Sequence, residues 1–328
     1  MEIFQTIAGL PESAKGGVVA IGNFDGVHRG HQDLLVHARA LASEQECPFI
    51  VLTFEPHPRT FFRPDSAPFR ITSPDVKHWR LEESGVETCV SLHFDAALAN
   101  QSAEDFIRTV LQEGLRARHI VVGSDFHFGK GRAGSPDTLR QAGLKVSEVE
   151  KEGLPYSSTA VRDALAQGDM AEATRILGWD WEIRGIVVKG DQRGRTLGFP
   201  TANIALADVI HPAYGVYAGR VQVEGENMWH MAALNIGVRP MYALARAQVE
   251  AFLIDFSGDL YGKILRVQPT AFLRGEEIFD SEADLVAQME KDCAVVHVIL
   301  SEAKNLPAQT IQDKILHVVQ DDKMQGTS

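Results

Sequence analysis

The hydrophobic rhythm of this 328-residue chain changes once, and that change limits the folds open to it. In the first half, short runs that are apolar at nearly every position alternate with stretches at helical spacing. Val18-Val19-Ala20-Ile21, Phe49-Ile50-Val51-Leu52 and His119-Ile120-Val121-Val122 are such runs. Leu34, Leu35, Ala38, Leu41 and Ala42 form the apolar stripe of a helix over residues 30–43, and a second helical pattern covers 105–111. Strands apolar on both faces, with helices between them, predict a parallel sheet covered on both sides. In the second half, strands over 183–188, 214–223, 229–236, 247–254 and 264–273 follow one another across glycine- and proline-marked turns. That spacing predicts a small antiparallel barrel or sandwich. One helix follows, with Ser281 as its N-cap and Leu285, Val286 and Met289 as its apolar stripe. The rhythm changes between Gly178 and Trp181, and no Gly/Ser- or Pro-rich linker separates the halves. The expected division is 1–180 and 181–295, with a tail over 296–328 to which the sequence gives no role.

The net charge is -12, from 32 basic and 44 acidic residues. That balance argues against a general nucleic-acid or anionic-membrane binder, since both need a basic footprint. A small phosphate-bearing substrate needs only a local cluster. Cys47, Cys89 and Cys293 are far apart and form no CxxC pair, so inert thiols in a reducing compartment are expected. The N-terminal residues lack a secretory pattern, and no apolar run approaches the roughly 18 residues of a membrane span. A soluble, cytoplasmic protein is the expectation, as a monomer or weak homo-oligomer.

The densest string in the first half is Gly22-Asn23-Phe24-Asp25-Gly26-Val27-His28-Arg29-Gly30-His31, where a buried strand passes into a helix. The C-terminal end of a parallel strand beside a helix N-terminus is where open α/β sheets bind phosphates. His28 and His31, three apart, can face one site and donate hydrogen bonds to phosphoryl oxygens. Three further strings accompany it. Thr53-Phe54-Glu55-Pro56-His57-Pro58 follows the second strand, where His57 is either a loop cap or a ligand contact. Gly123-Ser124-Asp125-Phe126-His127-Phe128-Gly129 carries aromatics that suit either a core or a flat-ring pocket. Ser157-Ser158-Thr159-Ala160-Val161-Arg162 opens a helix, where a cap and a phosphate site use the same N–H groups. Gly129-Lys130-Gly131-Arg132-Ala133-Gly134 fits GxGxxG, but it does not directly follow its strand, so a dinucleotide fingerprint is rejected.

In the second half, residues 182–204 hold four basic and two acidic side chains, a local balance of +2 in an acidic chain. Gly190, Arg193, Gly194, Arg195 and Gly198 suit a phosphate loop or a solvated hairpin. Pro200-Thr201-Ala202-Asn203 fits the hairpin poorly, and its hydroxyl and amide oxygens are hard donors for Mg²⁺. Strand alternation puts Glu250 on one face with Phe252 and Ile254, while Val249, Ala251 and Leu253 face the other way. A carboxylate there is half-buried or at a pocket mouth, as an ion-pair partner or as a general base for an alcohol.

These strings resemble the bacterial bifunctional riboflavin kinase/FAD synthetase family over roughly residues 15–292. The first resembles the HxGH motif of nucleotidyltransferases. Gly194 to Asn203, Gly215-Val216-Tyr217-Ala218, Asn235 to Pro240 and Glu250 to Gly262 resemble the kinase module, and Phe272-Leu273-Arg274 and Gln288 to Asp292 also fit it. The resemblance implies a Rossmann-like nucleotidyltransferase α/β domain followed by a riboflavin kinase-like β-barrel with a C-terminal helix. It implies that the barrel makes FMN from riboflavin and ATP, and that the first domain makes FAD from FMN and a second ATP. Gly22, Phe24, Asp25, Gly26, Ser158, Thr159 and Arg162 would then bind ATP in the first domain, and His57, Asp125, Phe126 and Phe128 the flavin. In the second, Gly190, Arg193, Gly194, Arg195, Gly198 and Pro200 would bind ATP, Thr201 and Asn203 would hold Mg²⁺, and Glu250 would activate the riboflavin hydroxyl. Ser124, Ala160, Trp179-Asp180, Met241-Tyr242 and Phe252 depart from the family pattern. Two other classes use the same motifs: an adenylyltransferase whose second module only binds flavin, and a flavin-sensing regulator. A kinase assay tests the first, and ATP consumption with riboflavin would exclude the second.

Overall fold

A computed structural model of the chain describes residues 1–150, 156–190, 193–239 and 246–302, without the side chains of Arg193, Arg195, Arg239, Arg246 and Glu302. The chain forms two compact units. The first holds Met1–Ala67 and Pro74–Ser158, and the second holds Pro68–Ser73 and the chain from Thr159 onward.

The first unit is built on six strands: β1 (Glu2–Phe4), β2 (Val18–Ile21), β3 (Phe49–Glu55), β4 (Thr88–His93), β5 (His119–Gly123) and β6 (Lys145–Val149). Their order is β1-β4-β3-β2-β5-β6, and every pairing is parallel. The period of two explains why the inner strands read as apolar throughout. Val19, Ile21, Ile50, Leu52, Ile120 and Val122 enter one core cluster with Phe106, Leu111 and Leu115. Val18, Ala20, Val51 and Val121 enter the other, against Leu34, Leu35, Ala38 and Ala42 of the helix Arg29–Glu44. The chain leaves β2 toward β3 on one side, and β5 lies on the other. The gap between the C-terminal ends of β2 and β5 is therefore the switch point of the sheet, where open α/β folds hold ligands.

The second unit holds β7 (Ile183–Ile186), β8 (Ala202–Ala205), β9 (Gly215–Val223), β10 (Trp229–Arg239), β11 (Arg246–Leu253) and β12 (Ile264–Arg274). The order β7-β12-β9-β10-β11-β8 is antiparallel throughout. Strand β12 returns beside β9 after the hairpins β9–β10–β11, which is a Greek-key arrangement. A bridge between Val188 and Asn203 joins the two edges and nearly closes a barrel. The helix Glu282–Glu302 follows, with Ser281 Oγ accepting from the Asp284 N–H at 3.1 Å. It runs past residue 295, where the sequence pattern fades, because Val296, Ile299 and Leu300 are buried against Val216, Ala218, Ala271 and Leu273. Among the described residues, no helix is long and apolar enough to cross a membrane.

Candidate active sites

In the first unit, the loop between β2 and the helix Arg29–Glu44 occupies the switch point. Gly26 has φ +85°, and Phe24 and Val27 also take left-handed φ of 50° and 36°. That backbone is costly for side-chain-bearing residues and persists only where its surroundings hold it. Three side chains hold it by its carbonyls. Thr53 Oγ1 donates to Asn23 O at 3.2 Å, Ser158 Oγ to Asp25 O at 2.9 Å, and Gln32 Nε2 to Val27 O at 2.8 Å. Phe24 is fully buried, and a Cβ at Gly22 would lie 3.3 Å from its ring. Phe24 therefore props the loop from within. Asp25 is also buried.

His28 caps the helix: its Nδ1 accepts from the His31 N–H at 3.3 Å. An accepting Nδ1 puts the proton of the neutral ring on Nε2. The His28 and His31 rings stack at 3.7 Å, so the two expected catalytic imidazoles do share one place. Gly30 makes room for them, since a Cβ there would lie 3.1 Å from Tyr156 O and 3.4 Å from the His28 ring.

The other expected adenylyltransferase residues fall into different roles, and two of them, Thr159 and Arg162, belong to the second unit. Thr159 is exposed on the helix Ser158–Ala166. Arg162 Nε donates to Phe69 O at 2.7 Å, and its guanidinium lies 5.2 Å from the Phe69 ring. His57 caps the short helix Pro58–Phe62 through Nδ1, which accepts from the Arg59 N–H at 3.1 Å. Asp125 is exposed, and Phe126 is half-buried and stacked at 5.5 Å on Phe128. Phe128 is a core side chain, 7% exposed and packed at 5.4 Å on Phe106. An aromatic series continues through Phe54 and Phe94 to Phe61 and Phe62, and Phe62 is 62% exposed. The GxGxxG match closes on itself as a loop, with Phe128 and Gly134 exchanging backbone hydrogen bonds of 3.1 and 2.9 Å.

In the second unit, the register sets Glu250 of β11 opposite Asn203 of β8 and Asn235 of β10. Val249 and Ala251 are fully buried and Glu250 is half-buried, as the alternation requires. Gln248 Nε2 donates to Glu250 Oε1 at 3.0 Å and reaches Asn203 Oδ1 at 3.5 Å. Gly190 lies against the Asn203 amide, where a Cβ would come within 2.6 Å. Gly194 closes the next turn by accepting from Phe199 N at 2.8 Å. Gly198 has φ +89°, and Pro200 is exposed. The side chains of Arg193 and Arg195, and all of Met241 and Tyr242, lie outside the described residues. Glu250 and Thr201 line a cavity of about 550 Å³, together with Phe199, Phe252, Leu285 and Met289. The rings of Phe199 and Phe252 are 5.0 Å apart.

A family described as FAD synthetase matches residues 10–160, and one described as riboflavin kinase matches residues 177–300. The bifunctional riboflavin kinase/FMN adenylyltransferase of Escherichia coli strain K12 is 40% identical over 89% of this chain and 96% of its own length. Its namesake from Pseudomonas fluorescens is 40% identical over 91% and 98%, and that from Bacillus subtilis is 36% identical over 86% and 92%. The chain belongs to the bifunctional riboflavin kinase/FMN adenylyltransferase family. A crystal structure of a macrolide-efflux protein from Streptococcus pneumoniae is also similar, with a TM-score of 0.79 and 30% identity, covering 90% of this chain and 98% of that one.

As a member of this family, the chain is a two-domain transferase with an FAD synthetase module first and a riboflavin kinase module second. The kinase-module donors suit Mg²⁺, because the Thr201 hydroxyl and the Asn203 amide present hard oxygens beside a carboxylate. Sequence reading missed several supporting residues. Gln248 carried a signal, because it stands two residues from Glu250 and so shares its face of β11. Lys77, which meets Thr53, carried none, because its helix and β3 are joined only by the fold. Arg274 and Asp292, expected from the resemblance, form an ion pair at 2.8 Å that ties β12 to the last helix, and Gln288 donates to Asp292 at 3.0 Å.

Proposed function

We propose that the barrel transfers the γ-phosphoryl group of ATP to the 5′-hydroxyl of riboflavin. Glu250 takes the hydroxyl proton as the oxygen attacks phosphorus, and ADP leaves. Gly190, Gly194 and Gly198, with Arg193 and Arg195, form the phosphate loop. Thr201 and Asn203 hold Mg²⁺, which when bound neutralises charge on the ATP phosphates. The cavity beside Phe199, Phe252 and the last helix takes the isoalloxazine ring.

The α/β unit adenylylates FMN. A phosphate oxygen of FMN attacks the α-phosphorus of a second ATP, and pyrophosphate leaves. The FMN phosphate is already ionised, so the step needs no general base. His28 and His31 stabilise the charge that develops on the α-phosphoryl oxygens, with no covalent enzyme intermediate. The observation that carries this reading is the stacking of His28 and His31 at 3.7 Å in the switch-point loop, with the Nε2 proton of His28 set by its own helix cap. Ser158 orders the loop, and the exposed end of the aromatic series, with His57 and Asp125, receives the flavin. The domain division near residue 180 and a cytoplasmic location belong to the same reading, in which both substrates are small metabolites.

Flavin chromatography tests it. Incubation with riboflavin, ATP and Mg²⁺ should give FMN first and FAD second, with one pyrophosphate per FAD. FAD from added FMN but no FMN from riboflavin would remove the kinase assignment.

A further inference from the structure

A buried network lies behind the loop that carries His28 and His31. Lys77, on the helix Pro74–Glu83, is 2% exposed. Its Nζ pairs with Glu55 Oε1 at 2.6 Å and donates to Thr53 Oγ1 at 3.2 Å and to Phe54 O at 3.4 Å. Thr53 is fully buried near the C-terminal end of β3, and its hydroxyl donates to Asn23 O at 3.2 Å. A hydroxyl has one proton to give, and an ammonium has only donors. Lys77 must therefore occupy a lone pair of Thr53, which directs the Thr53 proton to Asn23.

Burying an ammonium is expensive even when it is paired, and an apolar side chain would fasten helix to strand at least as well. The network meets the loop at the peptide that enters Phe24, the first of its two left-handed non-glycine residues. Positive φ at such residues lasts only where neighbours hold it. Phe24 in turn packs edge-on against His31, with ring centres 5.2 Å apart. The line from Lys77 to the histidine pair is thus a short series of contacts: Lys77 to Thr53, Thr53 to Asn23, and Phe24 to His31.

We infer that Lys77 and Thr53 are positioning residues for adenylyl transfer, holding the Asn23–Phe24 peptide so that His28 and His31 meet the α-phosphoryl group in reacting geometry. The inference rests on the reading of this loop as the FMN adenylyltransferase site. Its test is steady-state kinetics of FAD formation from FMN with full-length Thr53→Val, Thr53→Ser, Lys77→Met and the double variant Thr53→Val/Lys77→Met. Thr53→Val and Lys77→Met should each lower kcat about ten- to a hundredfold. KM for ATP and FMN should stay within about twofold, since the histidines act on the transition state. Thr53→Ser keeps the hydroxyl and should restore kcat to within about threefold. The double variant should be no slower than the slower single one, because the two residues act in series.

A kcat per FMN-binding molecule unchanged in Thr53→Val, with only a lower melting temperature, would overturn the inference. So would losses that multiply in the double variant. If Lys77→Met does not fold, the contrast between Thr53→Val and Thr53→Ser decides, and riboflavin phosphorylation in the same preparations shows that the chain is intact. His28→Ala, run in parallel, separates the two levels. FAD formation persisting there defeats the site reading, whereas FAD lost there but unchanged in Thr53→Val defeats this inference alone.

Discussion

His28 has two tasks in the proposed mechanism: Nδ1 caps a helix, and Nε2 is proposed to donate to phosphate. Substitutions can separate them. Asparagine at this position is a good N-cap but lacks the Nε2 donor. His28→Asn should keep the melting temperature within a degree or two and lower FAD formation by about a hundredfold or more. His28→Ala should lose the cap as well, at about 1 kcal/mol. Thermal melts beside FAD assays check both. Cys293 makes the opposite point, that lining a cavity does not make a thiol reactive. Burial, with Asp292 and Glu290 nearby, pushes it up to about 11. A raised pKa means less thiolate. Iodoacetamide at pH 8 should therefore alkylate Cys293 more than about a hundredfold slower than a free cysteine, with the rate climbing toward pH 10. Mass spectrometry of the modified peptide gives the rate, and a fast reaction at pH 8 would contradict the half-buried placement. At this scale the candidate site residues stand out in the sequence because their types are restrictive: two histidines at a glycine-rich strand end, and a carboxylate between apolar neighbours. Their supports were not. Thr53 reads as one more β-branched strand residue, and only the fold brings it to Asn23.

Secondary-structure elements were legible where burial is two-sided. The inner strands β2, β3 and β5 are apolar at almost every position, and five of the six barrel strands show turn-bounded patterns. The missed elements each blur that signal. Strand β4, Thr-Cys-Val-Ser-Leu-His, mixes polar residues into a buried position, with Ser91 hydrogen-bonded by His78. Strands β1 and β6 are sheet edges with exposed residues, and β8 is four residues inside a string that reads as a ligand loop. The last helix outruns its pattern because its buried residues Val296, Ile299 and Leu300 lie beyond the first apolar stripe. Val296 is fully buried, so Val296→Ala should cost about 1–3 kcal/mol and lower the melting temperature of the second unit by roughly 5 °C. An unchanged melt would mean that the helix beyond residue 295 does not belong to the barrel core.

The whole molecule sets two phosphate chemistries on two folds. The parallel sheet offers a switch point with a helix N-terminus, which suits attack at an α-phosphorus by an anion that needs no base. The barrel offers a half-buried carboxylate in the lining of a cavity, which suits a neutral alcohol that does need a base. A net charge of -12 says little about either site, because the residues that would face phosphate are a local minority. The proposed division gives the two reactions separate catalytic residues, His28 and His31 in the first unit and Glu250 in the second. Flavin chromatography of His28→Ala and Glu250→Gln tests it most directly. Given riboflavin, ATP and Mg²⁺, His28→Ala should stop at FMN. Glu250→Gln should make neither product from riboflavin, yet convert added FMN to FAD at the wild-type rate. Loss of both activities in either variant, or FAD from His28→Ala, would contradict the claim.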